Sequence, residues 1–269
     1  LQTTSLGGVN SAPRVGPLVI SELNYHPSAS MVPLLTADNL EFVEIQNPTS
    51  VTVDLTAWQI RGGVDYDFPA GTTLAAGQVL VVTPFDPASA ENLPLVTAFR
   101  AHYGIDSNVT LLGGYANRLN DSFEQLLLKR AGTPPADDPT LIPRLAEDTV
   151  LYDDLAPWPT TADGTGHSLQ RISITGPGDQ SSSWTAAAPS PGSVSSSLPG
   201  DFNGDWAVDD TDIDLLFTAI VAGGDDLHYD LDDSGSATMA DVTLLVFALL
   251  GTNFGDTDLD LDIDTGDLT

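Results

Sequence analysis

The chain has 269 residues, with 38 Asp and Glu against eight Lys and Arg, a formal net charge of −30, and no cysteine. That length allows one full hydrophobic core plus a smaller module. The charge excludes nucleic acid and anionic lipid as partners, and the missing thiols exclude disulfides, thiolate metal sites and cysteine nucleophiles. At 41% apolar residues the chain reads as folded rather than as an acidic tail. No apolar run is long enough to span a bilayer, so no membrane insertion is expected. Leu1–Pro13 is small and polar, as expected after a cleaved signal sequence, and residues 1–17 read as a flexible N-terminal segment of a secreted or cell-surface protein.

From Leu18 the pattern is strand after strand. Leu18–Leu23 opens it and Glu41–Ile45 alternates polar with apolar residues. Val53–Ile60, Gln78–Thr83 and Phe123–Leu128 follow, separated by Gly, Pro and Asn. Period-two alternation with turn clusters predicts an antiparallel sandwich or barrel. Leu95, Phe99 and Tyr103 have helical spacing, which predicts an inserted helix over Pro94–Tyr103. Val150–Tyr152 and His167–Ile174 read as closing strands. The β domain spans 18–192, and residues 193–200, rich in Ser, Pro and Gly, form a linker.

Beyond the linker the period changes. Ile213, Leu216, Phe217 and Ile220, then Val242, Leu245, Val246 and Leu249, are stripes of two amphipathic helices. Each follows an Asp-rich loop, and the loops start 29 residues apart, at Asp201 and Asp230, which marks an internal repeat. Residues 201–269 carry 18 Asp and no Glu, Lys or Arg. Calcium takes six to eight oxygens, and a 12-residue loop supplies them from positions 1, 3, 5, 7, 9 and 12. In the first loop these are Asp201, Asn203, Asp205, the carbonyl of Ala207, Asp209 through water, and Asp212. In the second they are Asp230, Asp232, Ser234, the carbonyl of Ser236, Thr238 and Asp241. A third loop offers Asp256, Asp258, Asp260, the carbonyl of Asp262, Asp264 and Asp267, with no helix after it. Two calcium sites are therefore expected and a third is possible. Position 8 is apolar in the first two loops, Val208 and Ala237, as pairing the loops back to back requires. Position 6 calls for a positive φ, met by Gly235 in the second loop but occupied by Trp206 in the first. Without the cation, crowded carboxylates oppose folding, so the ion is expected to be structural.

Residues 201–252 resemble a type I dockerin, a duplicated calcium loop with a helix after each. Pro199–Gly200 stands where an EF-hand would place its first helix, and position 12 is Asp rather than Glu. The resemblance implies a cohesin-like partner recognised through the helices, where this chain offers Thr211, Ile213, Asp214, Ala240 and Val242. Residues 18–192 resemble a bacterial lamin-tail domain through Ile20–Tyr25, Glu41–Asn47, Val53–Trp58, Phe68–Thr72, Trp158–Pro159, Ala162–Arg171 and Trp184. That resemblance implies an immunoglobulin-like sandwich with no catalytic role. The expected fold class is thus mainly β, with a small α-helical dockerin/EF-hand-like calcium module over 201–269.

Catalytic readings are weak. His26, His102, His167 and His228 lie far apart, and His167–Ser168 lacks a nucleophile elbow. Glu22, Glu41 and Glu44 could be paired acids for glycoside hydrolysis, or Glu22 and Glu44 could join a calcium site near Asn24. As outward-facing strand residues they need neither role. Trp58, Trp158 and Trp184 fit the core better than a sugar-stacking surface. The expectation is a non-catalytic extracellular structural protein whose partner is its own copies, assembling into a surface layer or fibre, with Leu1–Pro13 adding to a neighbour as a strand. The alternative is the anchoring module of a larger secreted enzyme, attaching to a cohesin-like domain or polysaccharide.

Overall fold

The computed structural model describes residues 16–30, 32, 34–172, 174, 176–193, 200–202, 208–232, 234–250, 252 and 254. The chain divides into two compact units, Leu1–Ser196 and Ser197–Thr269.

The first unit is mainly β. In chain order its elements are β1 (Val19–Asn24), α1 (Ala37–Leu40), β2 (Phe42–Gln46), β3 (Val53–Asp54), β4 (Gln59–Gly62), β5 (Val64–Asp67), β6 (Thr73–Leu74) and β7 (Val79–Thr83). Then come α2 (Leu93–Tyr103), β8 (Thr110–Gly113), β9 (Ala116–Asn117), β10 (Glu124–Ala131), β11 (Arg144–Tyr152), β12 (Ser168–Arg171) and β13 (Trp184–Ala187). One sheet has the order β13-β12-β1-β2-β7-β8, the other β11-β10-β4-β5-β9, and β3 pairs with β6. The pair β7–β8 is parallel, bridged by α2.

Side chains from both sheets meet in one core. Ile20, Leu23, Val43, Ile45, Leu80 and Val82 come from the first sheet, and Ile60, Val64, Leu126, Leu128, Val150 and Tyr152 from the second. Trp58 and Trp184 are buried in this core and Trp158 packs on it, as their core reading expects. The first sheet is also covered on its other face, where Phe42 and Val81 meet Phe85, Phe99 and Ile105. This explains why β7 is apolar at consecutive positions: Val81 faces α2 while Leu80 and Val82 face the sandwich interior. Strands buried on both faces lose the polar alternation of a half-exposed sheet.

The expected strand over Val53–Ile60 is broken in two. Asp54 Oδ1 accepts from the Thr56 N–H at 2.8 Å, Ala57 takes φ 60°, and the Trp58 N–H donates to Leu55 O. An Asx turn here competes successfully with the ladder. Arg171, fully buried, ties the edge of the first sheet together. Its guanidinium reaches Asp148 Oδ2 at 2.5 Å and the carbonyls of Ile20 and Gly176, and lies over the Trp184 ring.

In the second unit, α3 (Asp210–Ala222) and α4 (Met239–Thr243) follow the two loops, and α4 runs on as π-helical backbone over Leu244–Leu249. Leu216, Ala237, Val242, Leu245 and Val246 form its core, with Phe202, Val208, Ile213 and Ile220 packed against them. Among the described residues no helix is long and apolar enough to cross a membrane.

Candidate metal centre

Position 12 organises each loop of the second unit. In the second loop Asp241 Oδ1 accepts from the N–H groups of Leu231 (2.8 Å) and Asp232 (3.1 Å), and Oδ2 accepts from that of Thr238 (2.7 Å). In the first loop Asp212 Oδ1 accepts from Phe202 N–H (2.7 Å) and Oδ2 from Asp209 N–H (3.0 Å). The helix caps repeat as well: Asp209 accepts from Thr211 N–H, and Thr238 from Ala240 N–H. Each helix thus starts with a reciprocal capping box, in which the cap and the third helical residue satisfy one another's orphan N–H groups. The bonded positions 202, 209, 211 and 212 correspond to 231, 238, 240 and 241, the same 29-residue offset as the loop starts.

Asp212 and Asp241 are both fully buried. Burial raises the Asp241 pKa, but the backbone N–H groups of Thr238, Leu231 and Asp232 outweigh it and hold the carboxyl below the usual range. The charged form is therefore built into the fold. Nearby, carboxylate oxygens of Asp230, Asp232 and Asp241 lie within 4.8 Å of one another. Asp230 takes the N–H groups of Ser234 (3.0 Å) and Gly235 (2.7 Å), which curls the loop around it. Gly235 has φ +97°, and a Cβ there would meet nothing within 4 Å. The glycine is therefore required by backbone conformation rather than by space. Ser236 offers its carbonyl, which also accepts from Ser234 Oγ at 3.3 Å.

The donor set fits a hard cation: it is all oxygen, with three carboxylates drawn together and a serine hydroxyl and carbonyl beside them. Of the first loop's expected ligands, Asp201, Asp209 and Asp212 are described, and Asp201 is buried. Asn203, Asp205, Ala207 and Trp206 lie outside the described residues, as do Asp256, Asp258, Asp260, Asp262, Asp264 and Asp267 of the third loop and the segment Leu1–Pro13. Val208 and Ala237 both join the unit's core, and the Ala237 N–H donates to Gly224 O at 2.8 Å. Gly200, at the entrance to the first loop, packs so closely on α4 and its extension that a Cβ would fall 2.4 Å from Leu245 Cδ1.

The glutamates of the first unit depart from expectation. Glu22, Glu41 and Glu44 are 0–2% exposed, not outward-facing in solvent. Glu22 and Glu44 do point away from the sandwich interior, but α2 and the segment through Ser190 and Gly192 cover that face; Glu41 instead accepts from Leu119 N–H (3.0 Å) and the Tyr115 hydroxyl (3.3 Å), both of the sandwich core. Glu22 stands opposite Glu44 across β1 and β2. It accepts from Ser168 Oγ (2.5 Å), Ser190 N–H (2.9 Å) and Ser190 Oγ (3.2 Å). Glu44 accepts from Ser21 Oγ and Gly192 N–H, both at 2.6 Å. Burial, then the charge of Glu22, pushes Glu44 up to about 8, and burial pushes Glu41 up to about 7. A cleft of about 170 Å³ opens nearby, lined by Asn24, Leu40, His102 and Tyr103 among others, and none of the three glutamates lines it.

Residues 11–137 match the family model of the lamin tail domain. The sandwich continues past that span through β11, β12 and β13. Among solved structures the chain is similar to a DUF4876 family protein from Bacteroides thetaiotaomicron VPI-5482. That likeness has 11% identity and a TM-score of 0.40, and covers 66% of this chain and 69% of the other. No curated protein matches.

Proposed function

We propose that this protein is a non-catalytic extracellular structural component, in which a lamin-tail-type sandwich is joined to a calcium-stabilised, dockerin-like module and serves assembly. The observation that carries the reading is the duplicated loop, with its carboxylates at 230, 232 and 241 gathered around one point. Asp230, Asp232, Ser234, Ser236, Thr238 and Asp241 would hold the ion in the second loop, with their counterparts from Asp201 to Asp212 in the first. Calcium would supply charge neutralisation; the chain itself supplies pre-oriented oxygen ligands. Extracellular modules bind calcium at about 10⁻⁴–10⁻³ M, and a site of that strength would suit work outside the cell.

Assembly of like chains into a layer or fibre is the partner reading adopted here. Size-exclusion chromatography and electron microscopy with calcium and with EGTA test it. Larger species with calcium are expected, and a monomer at high concentration under both conditions overturns it. One feature favours the anchoring alternative: α3 exposes Phe217 and Val221, the latter 87% exposed, on a module without Lys or Arg. Calcium-dependent capture by a cohesin-type domain or an insoluble glycan would select that alternative.

A further inference from the structure

The cleft at the end of β1 departs in chemistry from the rest of this acidic chain. Asn24, Ser28, Leu40, His102, Tyr103 and Gly166 line it together with two prolines, and no Asp, Glu, Lys or Arg is among these residues. In a chain carrying 38 acidic residues, a lining without one carboxylate does not suit a cation. Without a guanidinium or ammonium it does not suit an anion either. The cleft measures about 170 Å³, below the roughly 300–1,000 Å³ of pockets for drug-sized ligands, so it takes one small ring rather than an extended molecule. Gly166 has φ +88°, and a Cβ there would fall 3.3 Å from Ser28 Oγ. The glycine thus meets the backbone turn and keeps the space beside that hydroxyl open.

The hydrogen bonds behind the cleft say what such a ligand must bring. A backbone carbonyl only accepts, so the Tyr103 hydroxyl donates to Leu40 O, at 2.8 Å. Burial holds that hydroxyl well above the usual tyrosine range, so it keeps its proton. With that proton committed to Leu40, the hydroxyl can only accept from Asn24, whose Nδ2 lies 2.9 Å away. The direction of this relay fixes the amide: Nδ2 faces Tyr103, and Oδ1 is the atom left over. Asn24 is 2% exposed, and its Oδ1 has no donor among the described residues. A buried carbonyl oxygen without a donor is costly, so a molecule seated against Asn24 is favoured if it carries an O–H or N–H. Ser28 and His102, both exposed, add polar groups that can adjust to it.

We propose that this cleft binds one neutral sugar residue, which donates a hydroxyl to Asn24 Oδ1, meets Ser28 and His102 with others, and lays a C–H face against Leu40 and the prolines. A pyranose has the matching chemistry: no charge, hydroxyl donors around its rim, apolar C–H faces, and the size of a single ring. The relay from Asn24 through Tyr103 to Leu40 holds the acceptor in place before the sugar arrives, so little ordering is left to binding. The site stands on the first unit alone, so its failure and the failure of the calcium reading are separable.

Saturation-transfer NMR on the full chain tests the proposal, with glucose, galactose, mannose and N-acetylglucosamine each at about 5 mM, several times a Kd on the order of 1 mM. At least one of the four should receive saturation from the parent. Asn24→Leu removes the acceptor at similar volume and should weaken that sugar about tenfold or more. Circular dichroism verifies that each variant folds like the parent. If Asn24→Leu does not fold, Ser28→Ala/His102→Ala, at two exposed positions, should weaken the same sugar about tenfold. Asp230→Asn/Asp241→Asn should leave sugar binding unchanged. The methyl glycoside separates the sources: equal binding sustains the site as one for a glycan end, and loss sustains it as one for a free sugar. Three results would each overturn the proposal: no saturation of any of the four sugars, unchanged binding in the folded cleft variant, or displacement of the sugar by end-capped triglycine at lower concentration. Binding lost in Asp230→Asn/Asp241→Asn but kept in Asn24→Leu would also overturn it.

Discussion

Replacing Glu44 with Gln should flatten an alkaline loss of stability in the sandwich. Glu44 and Glu22 face one another across β1 and β2, both fully buried, and Glu44 titrates near 8 because burial and then the Glu22 charge oppose its ionisation. A carboxyl raised in the folded state contributes its full stability below the unfolded value of 4.5, and loses it as pH rises towards 8. At about 1.4 kcal/mol per pH unit the ceiling on that loss is ~5 kcal/mol. Water entry and local relaxation should reduce it to about 2 kcal/mol. The hydrogen bonds say where the proton sits. Oε2 accepts from the Gly192 N–H, so the proton belongs on Oε1, with the Ser21 hydroxyl turned to accept it. Glutamine reproduces that pattern, with its carbonyl towards Gly192 and its amide NH₂ towards Ser21. Urea unfolding at about pH 5, 7 and 9 would be followed by fluorescence. Trp206→Phe in both chains confines the signal to Trp58, Trp158 and Trp184 of the first unit. The parent should weaken with rising pH and the variant should not. A parent equally stable at all three values, or a variant that weakens as steeply, would refute the reasoning.

Asp241→Asn should abolish the calcium-dependent rise in melting temperature of the second unit. It should also cost about 1.5–3 kcal/mol without calcium, because charge-assisted bonds from Leu231, Asp232 and Thr238 are lost; calorimetry with and without EGTA separates the two effects. Gly235→Ala has room for its methyl but not the φ of +97°, so chemical denaturation should show a cost of about 1 kcal/mol and calcium titration a weaker site. Arg171→Met leaves Asp148 charged beneath the sheet edge and should cost about 3–5 kcal/mol by urea unfolding. Phe99→Ala empties the layer between α2 and the first sheet and should cost about 3–5 kcal/mol, read the same way.

What was legible in the sequence followed from local rules. Oxygen spacing in 230–241 and the helical stripes after each loop depend on residues within a dozen positions of each other. The glutamates were misread because period two reports which side of a strand a residue takes, not what covers that side. The covering elements, α2 and the turn through Ser190 and Gly192, lie some 50 and 146 residues from Glu44 in the chain. A signal was nonetheless present: Val79–Val82, beside β2, is apolar at every position, and only a strand buried on both faces has use for that. The parallel pair β7–β8 followed from the same insertion, since a helix between two strands returns the chain in the same direction.

A chain with 38 acidic and eight basic residues must neutralise its buried carboxylates largely without ion pairs. Arginine serves where it is available, at Arg171–Asp148 and Arg130–Glu147. Elsewhere two other devices appear. Asp241 keeps its charge against backbone N–H groups, and Glu41 and Glu44 are raised so far that they hold protons near neutrality. Neither device alone suits several carboxylates gathered on one loop, as at 230–241, where one proton cannot balance several charges. A divalent cation can, and it is drawn from the medium rather than from the sequence. Calcium concentration is then the variable that should set the stability of the second unit, as pH should that of the first.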